Sequence, residues 1–101
     1  MLDVYITFPN KKDALRVGEV LVKEKLAACV SIIPNVKSIF YWKNKLEKVN
    51  EVVLIAKVSE GNYEKLEKRV IELHSYEVPC ITALKVEKGY KKFVEWVETG
   101  T

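Results

Sequence analysis

The chain is short of the residues that punctuate and staple a fold. Its 101 residues hold 4 Gly, 3 Pro and 2 Cys, and only Arg16 and Arg69 among its 17 basic residues are arginines. So little glycine and proline, beside 49 % hydrophobic and 31 % charged residues, excludes a fibrous or disordered chain and predicts one domain over 1–101. Cys29 and Cys80 stand too far apart for a Cys-x-x-Cys pair and are too few for a secreted disulfide scaffold, so free thiols are expected. No apolar run approaches the roughly 18 residues of a membrane span, and Asp3 sits where a signal peptide would carry positive charge. A cytoplasmic protein with no membrane partner is expected. A net charge of +3, carried mostly by lysines, is too small and too poor in Arg for a nucleic-acid binder. Gly-x-Ser-x-Gly and phosphate-loop motifs are also missing, and no carboxylate pair is placed for acid–base work, so no enzyme is expected.

What is present is patterning. Leu2, Val4, Ile6 and Phe8 alternate with Asp3, Tyr5 and Thr7, which predicts a strand over 2–8 that stops at Pro9. Asn10 can cap a helix from 11 to about 28, in which Ala14, Val17, Leu21 and Leu15, Val22, Leu26 form one broad apolar stripe. Gly18 within that stripe suggests a close approach of helix to sheet. The apolar run 29–33, the break at Pro34-Asn35 and the bulky stretch 36–42 read as one bent strand. It turns at Lys43-Asn44-Lys45, where Asn44 can take positive φ, and returns through 46–57 as a long hairpin. Gly61-Asn62 precedes a second helix carrying Tyr63, Leu66, Val70 and Leu73 and ending near His74. A fourth strand is expected over 80–86, and a short helix over 90–98.

The order is β-α-β-β-α-β with a helical tail, an α+β fold of the ferredoxin-like split βαβ kind, with sheet order 4-1-3-2 and both helices on one face. The second and fourth strands are then opposite edges, which places Cys29 and Cys80 too far apart for a disulfide within one chain. The other sheet face carries apolar residues such as Tyr5, Tyr41 and members of 52–56. Burial against further copies of the chain is the simplest way to cover both face and edges.

Residues 72–79 hold the sole histidine, His74, beside Tyr76 and Glu77, at a helix-to-strand junction. His74 reads either as a ligand for Cu or Zn or as a helix-capping side chain bonded to the backbone. Cys29 and Cys80 read either as soft ligands or as packing residues. The aromatic run 39–42 could be imagined as an RNA-stacking platform, but no Lys/Arg-Gly-Phe/Tyr-Gly/Ala-Phe motif accompanies it, so an interface or core role is preferred.

The motifs Thr7-Phe8-Pro9, Leu26-Ala27-Ala28-Cys29, Ser38-Ile39-Phe40-Tyr41-Trp42 and His74-Ser75-Tyr76-Glu77-Val78-Pro79, with Glu51, Lys57 and Trp96, together resemble the CutA family of divalent-cation tolerance proteins across essentially the whole chain. The resemblance implies a homotrimer, a link to tolerance of copper and other divalent ions, and a function without turnover or required cofactor. It points to His74 and Cys29 as metal-ligand candidates for Cu(II) or another divalent cation, and Cys80, where this chain departs from the family, is added as a third candidate. It also points to Trp42, Glu51, Lys57 and Tyr76 as residues of clefts between subunits. A second implied reading is a PII-like signalling or adaptor trimer that takes a metabolite or protein in those clefts. The chain departs from the family pattern at Ser75 (commonly Pro), Asn44 (commonly Gly), Phe40 (commonly Tyr) and Cys80 (often Glu). The last change offers a soft ligand in place of a hard one.

Overall fold

The computed structural model describes residues 1–100. Their order is β1 (Leu2–Phe8), α1 (Lys11–Lys23), β2 (Cys29–Trp42), β3 (Lys45–Val58), a short 3-10 turn (Glu60–Asn62), α2 (Tyr63–Leu73), β4 (Ile81–Lys85) and α3 (Lys91–Gly100). All strand pairs are antiparallel, in the order β2-β3-β1-β4, so the topology is the expected one and β2 and β4 are its edges.

One sheet face is closed by α1 and α2. Val4, Ile6 and Phe8 from β1 and Val52, Leu54, Ala56 and Val58 from β3 meet Ala14, Val17 and Leu21 of α1 and Leu66 and Val70 of α2 in one buried cluster. Asn10 caps α1 as the sequence suggested, its Oδ1 accepting from the Asp13 N–H at 2.8 Å. The apolar stripe is narrower than expected. Leu15 and Val22 remain 45 % and 39 % exposed, because they flank the contact line rather than lie on it. The helix also stops at Lys23 instead of near 28. Lys25 takes φ 60, and by Ala28 the backbone N–H already donates to the Lys57 carbonyl of β3 at 2.9 Å.

Gly18 sits where α1 presses on the sheet. A Cβ built there would lie 3.0 Å from Val30 Cγ2 and 3.2 Å from Leu54 Cδ1. Gly18→Val, which adds two further methyls in that gap, is expected to destabilise the fold by about 1–2 kcal/mol despite losing glycine's backbone entropy cost, read as a lower urea midpoint.

Two features set up the functional region. At the tip of the hairpin, Lys43 and Asn44 both hold positive φ (52 and 63), a two-residue turn between the paired Trp42 and Lys45. Further back, the β2–β3 register passes from Ile33 opposite Val53 to Val36 opposite Glu51, so β2 carries one extra residue there, with Asn35 at φ 62. This bulge inverts which side chains face which way. Cys29, Ser31 and Ile33 share the open face before it; Val36, Ser38, Phe40 and Trp42 share that face after it. Tyr41, expected on the open face, is therefore turned to the opposite side. Because β1 pairs with β3 only over Val52–Val58, the hairpin beyond projects as a two-stranded arm.

Candidate functional site

The open sheet face and the projecting arm enclose a groove of about 770 Å³. Its arm wall is made by Ser38, Phe40 and Trp42 of β2 and Glu47, Val49 and Glu51 of β3, two alternating rows brought to one side by the bulge. Tyr5 and Thr7 of β1 form its floor. The loop between α2 and β4 supplies the other wall through Tyr76, Glu77 and Cys80.

This wall is held to the arm by a buried polar link. Glu51, only 6 % exposed, accepts a hydrogen bond from the Tyr76 hydroxyl at 2.8 Å. Burial pushes the Tyr76 phenol far above its ordinary value, and the Glu51 carboxylate beside it pushes the same way. His74 lies beneath. Its Nε2 pairs with the Thr7 carbonyl at 2.7 Å and its Nδ1 accepts from the Tyr76 N–H at 3.1 Å, which fixes a neutral ring with the proton on Nε2. The ring stacks on Phe8 with centroids 4.6 Å apart and is 9 % exposed. β4 pairs with β1 only from Leu2 to Ile6, so His74 reaches Thr7 just where that pairing has ended. The backbone-bonded reading of His74 thus describes this geometry, and a metal at either nitrogen would have to displace one of these bonds.

The structure separates the other candidates. Cys80 is exposed and lines the groove with Trp42, Glu51 and Tyr76. Cys29 lies on the far edge strand, paired in register with Lys57, whose ammonium meets Asp3 at 2.8 Å. Partial burial raises the Cys29 thiol above its ordinary value, Lys57 works against that rise, and Asp3 adds to it. Lys57, expected in the cleft with Trp42, belongs to this second cluster and not to the groove lining. Both thiols are free. Among the described residues no three His, Cys, Asp or Glu side chains gather to hold a metal within one chain.

Sequence reading missed Glu47, and it noticed Tyr5 on the open face and Glu77 beside His74 without assigning either to a site. The alternation 47, 49, 51 was a visible sign for Glu47. Glu77 depends on the path of a loop that has no periodicity.

The electrostatic character of the groove follows from its lining. Glu47, Glu51 and Glu77 are its charged residues, joined by the Cys80 thiol; among the described residues no Lys or Arg lines it, in a chain with 17 of them. The groove suits a positive ligand.

The family described as CutA1 divalent ion tolerance protein matches residues 2–100. A curated relative, the divalent-cation tolerance protein CutA of Archaeoglobus fulgidus, is 39 % identical over 95 residues, covering 94 % of this chain and 92 % of that one. Protein CutA 1, chloroplastic, of Oryza sativa subsp. japonica is 38 % identical over 97 % of this chain, which spans 55 % of that longer protein. Among solved structures, the divalent cation tolerance protein of Thermus thermophilus superposes with a TM-score of 0.96 at 36 % identity, covering 100 % of this chain and 99 % of that one. These matches favour cation tolerance over the PII-like reading. The chain belongs to the CutA1 divalent ion tolerance family.

Proposed function

We propose that the chain is the subunit of a cytoplasmic homotrimer that binds divalent cations, copper among them, in the groove, without catalytic turnover. The observation that carries this reading is a groove with three carboxylates, a thiol and no cationic side chain among the described residues, on a lysine-rich protein. A soft sulfur donor beside carboxylates suits Cu or Zn better than it suits the hard ions Ca or Mg. Such ions take about four ligands, more than one chain gathers here, and a neighbouring copy is the natural source of the remainder.

The trimer is supported by two unpaired sheet edges and by the arm, on which Ile39, Tyr41 and Leu46 are exposed. A two-stranded ribbon is marginal in water on its own, so a neighbour's surface against it would supply the missing burial. If β2 of one copy pairs with β4 of the next, the ring closes by three-fold rotation and Cys29 of one copy comes beside Cys80 of its neighbour. The cytoplasmic assignment rests on the two free thiols, and no helix among the described residues is long and apolar enough to cross a membrane. The absence of turnover is supported by His74, whose two ring nitrogens are both spent on the backbone.

Calorimetric titration with Cu(II) tests the reading. Cys80→Ser is expected to weaken binding at least about tenfold, through loss of the soft donor, and Glu51→Gln several-fold. Copper binding unchanged by both substitutions would remove the groove as the site. Light scattering is expected to give three times the 11.6 kDa subunit mass, and a single-copy mass would remove the trimer.

A further inference from the structure

We infer that the groove also binds a small organic cation, a primary alkylammonium, held between the carboxylates of Glu51 and Glu77 and the face of Trp42. The inference concerns a different ligand class from a divalent ion and does not depend on the copper reading.

Size is the first argument. A groove of about 770 Å³ far exceeds the shell of one metal ion and falls in the range of roughly 300–1,000 Å³ usual for small-molecule sites. The second argument is the kind of wall. Tyr5, Phe40, Trp42 and Tyr76 bring aromatic rings alongside the carboxylates. A hydrated metal ion gains little from ring faces, whereas an alkylammonium sets its charge over a ring's negative face and its stem against apolar surface.

The third argument is a ligand the chain carries itself. Lys43, at the tip of the arm, places its ammonium 5.7 Å from the centroid of the Trp42 ring and 4.0 Å from Glu77 Oε2. The side chain of Lys43 is 74 % exposed, so it is a tethered stand-in that a diffusing amine can replace. Deeper in, Glu51 uses Oε2 to accept from Tyr76, and Oε1 carries no hydrogen bond to the described residues. A primary ammonium brings three N–H donors to such an oxygen, and among the described residues no Lys or Arg belongs to the groove's lining, Lys43 reaching Trp42 and Glu77 from the exposed tip of the arm.

The test uses the full chain as purified, stripped of metal with EDTA and carrying Trp96→Phe, so that Trp42 is the sole tryptophan. n-Butylammonium and n-butanol, which share a stem and differ in charge, are titrated at constant ionic strength while Trp42 fluorescence is followed. The expected result is saturable binding at least about tenfold tighter for the ammonium than for the alcohol. Glu77→Gln, an exposed change that leaves the fold intact, should weaken it several-fold, and Lys43→Ala should tighten it by removing the tethered competitor. Equal responses to amine and alcohol, or indifference to both substitutions, would overturn the inference. So would the absence of any saturable response, which is what a groove filled by a neighbouring copy would give. Cu(II) titration of the same sample reads the copper proposal separately, since either ligand can fail while the other binds.

Discussion

Replacing His74 with alanine is expected to lower folding free energy by about 4 kcal/mol, read as a large drop in urea midpoint. Two losses combine. The ring is buried and stacked on Phe8 with an interplanar angle of 15°, and truncating a buried aromatic costs roughly 3–5 kcal/mol. The Thr7 carbonyl and the Tyr76 N–H also lose their partners, at about 1–3 kcal/mol each where water cannot replace them. Some relaxation of the loop toward solvent keeps the sum below the arithmetic total. His74→Phe separates the parts, because it keeps the stack and forfeits both bonds, and about 2 kcal/mol is expected for it. The same variants decide what His74 is for. A loss in alanine under about 1 kcal/mol, together with a tenfold fall in copper affinity, would make the ring a ligand rather than the clamp that seats Tyr76.

That clamp is also where reading the sequence reached its limit. Strand and helix order, both sheet edges and the helix-facing residues of β1 followed from periodicities of two and of three to four, because burial against one face imposes those periods directly. The close approach at Gly18 and the Asn10 cap were visible for the same local reasons. What eluded the pattern was set by single residues at special backbone angles. Lys25 at φ 60 ends α1 early, although lysine gives no sign of such a turn. Asn35 at φ 62 sits in the bulge, and one extra residue there moves Phe40 and Trp42 into the groove and Tyr41 out of it. Pro34-Asn35 was recognisable as a break, but whether it adds one residue or none is decided by the pairing with β3.

The groove itself was half legible. Trp42, Glu51 and Tyr76 were named together on family resemblance, and they do line one groove; Lys57 was named with them and does not. The difference lies in sheet position. Glu51 stands just past the end of β1, where a side chain on the open face can meet the loop from α2, whereas Lys57 is opposite Asp3 and fully within the sheet. The Tyr76–Glu51 hydrogen bond joins residues 25 apart in sequence, and neither type nor spacing announces it.

That bond leads to the second large effect. Tyr76→Phe removes the donor to a nearly buried carboxylate and is expected to cost about 1.5–3 kcal/mol at neutral pH, the range for a hydrogen bond to a charged group. At high pH the tyrosines act again. Tyr63, partly buried and donating to Glu67 at 2.7 Å, has its phenol pushed up to about 12, and that of Tyr76 is raised further by burial and by Glu51. In the unfolded chain both phenols release their protons near 10, while the native protein still holds them, so above that pH the native state binds more protons than the unfolded state. Stability from these groups is therefore fully present below pH 10 and is lost as pH climbs through the raised native values. The urea midpoint of the wild-type protein should fall steadily from about pH 10 to 12. Tyr63→Phe should flatten part of that fall and Tyr63→Phe/Tyr76→Phe most of it. Parallel midpoint curves for the wild type and the double variant over that span would mean that neither phenol is held as the geometry has it. The link between the groove's two walls would then be weaker than its 2.8 Å distance implies.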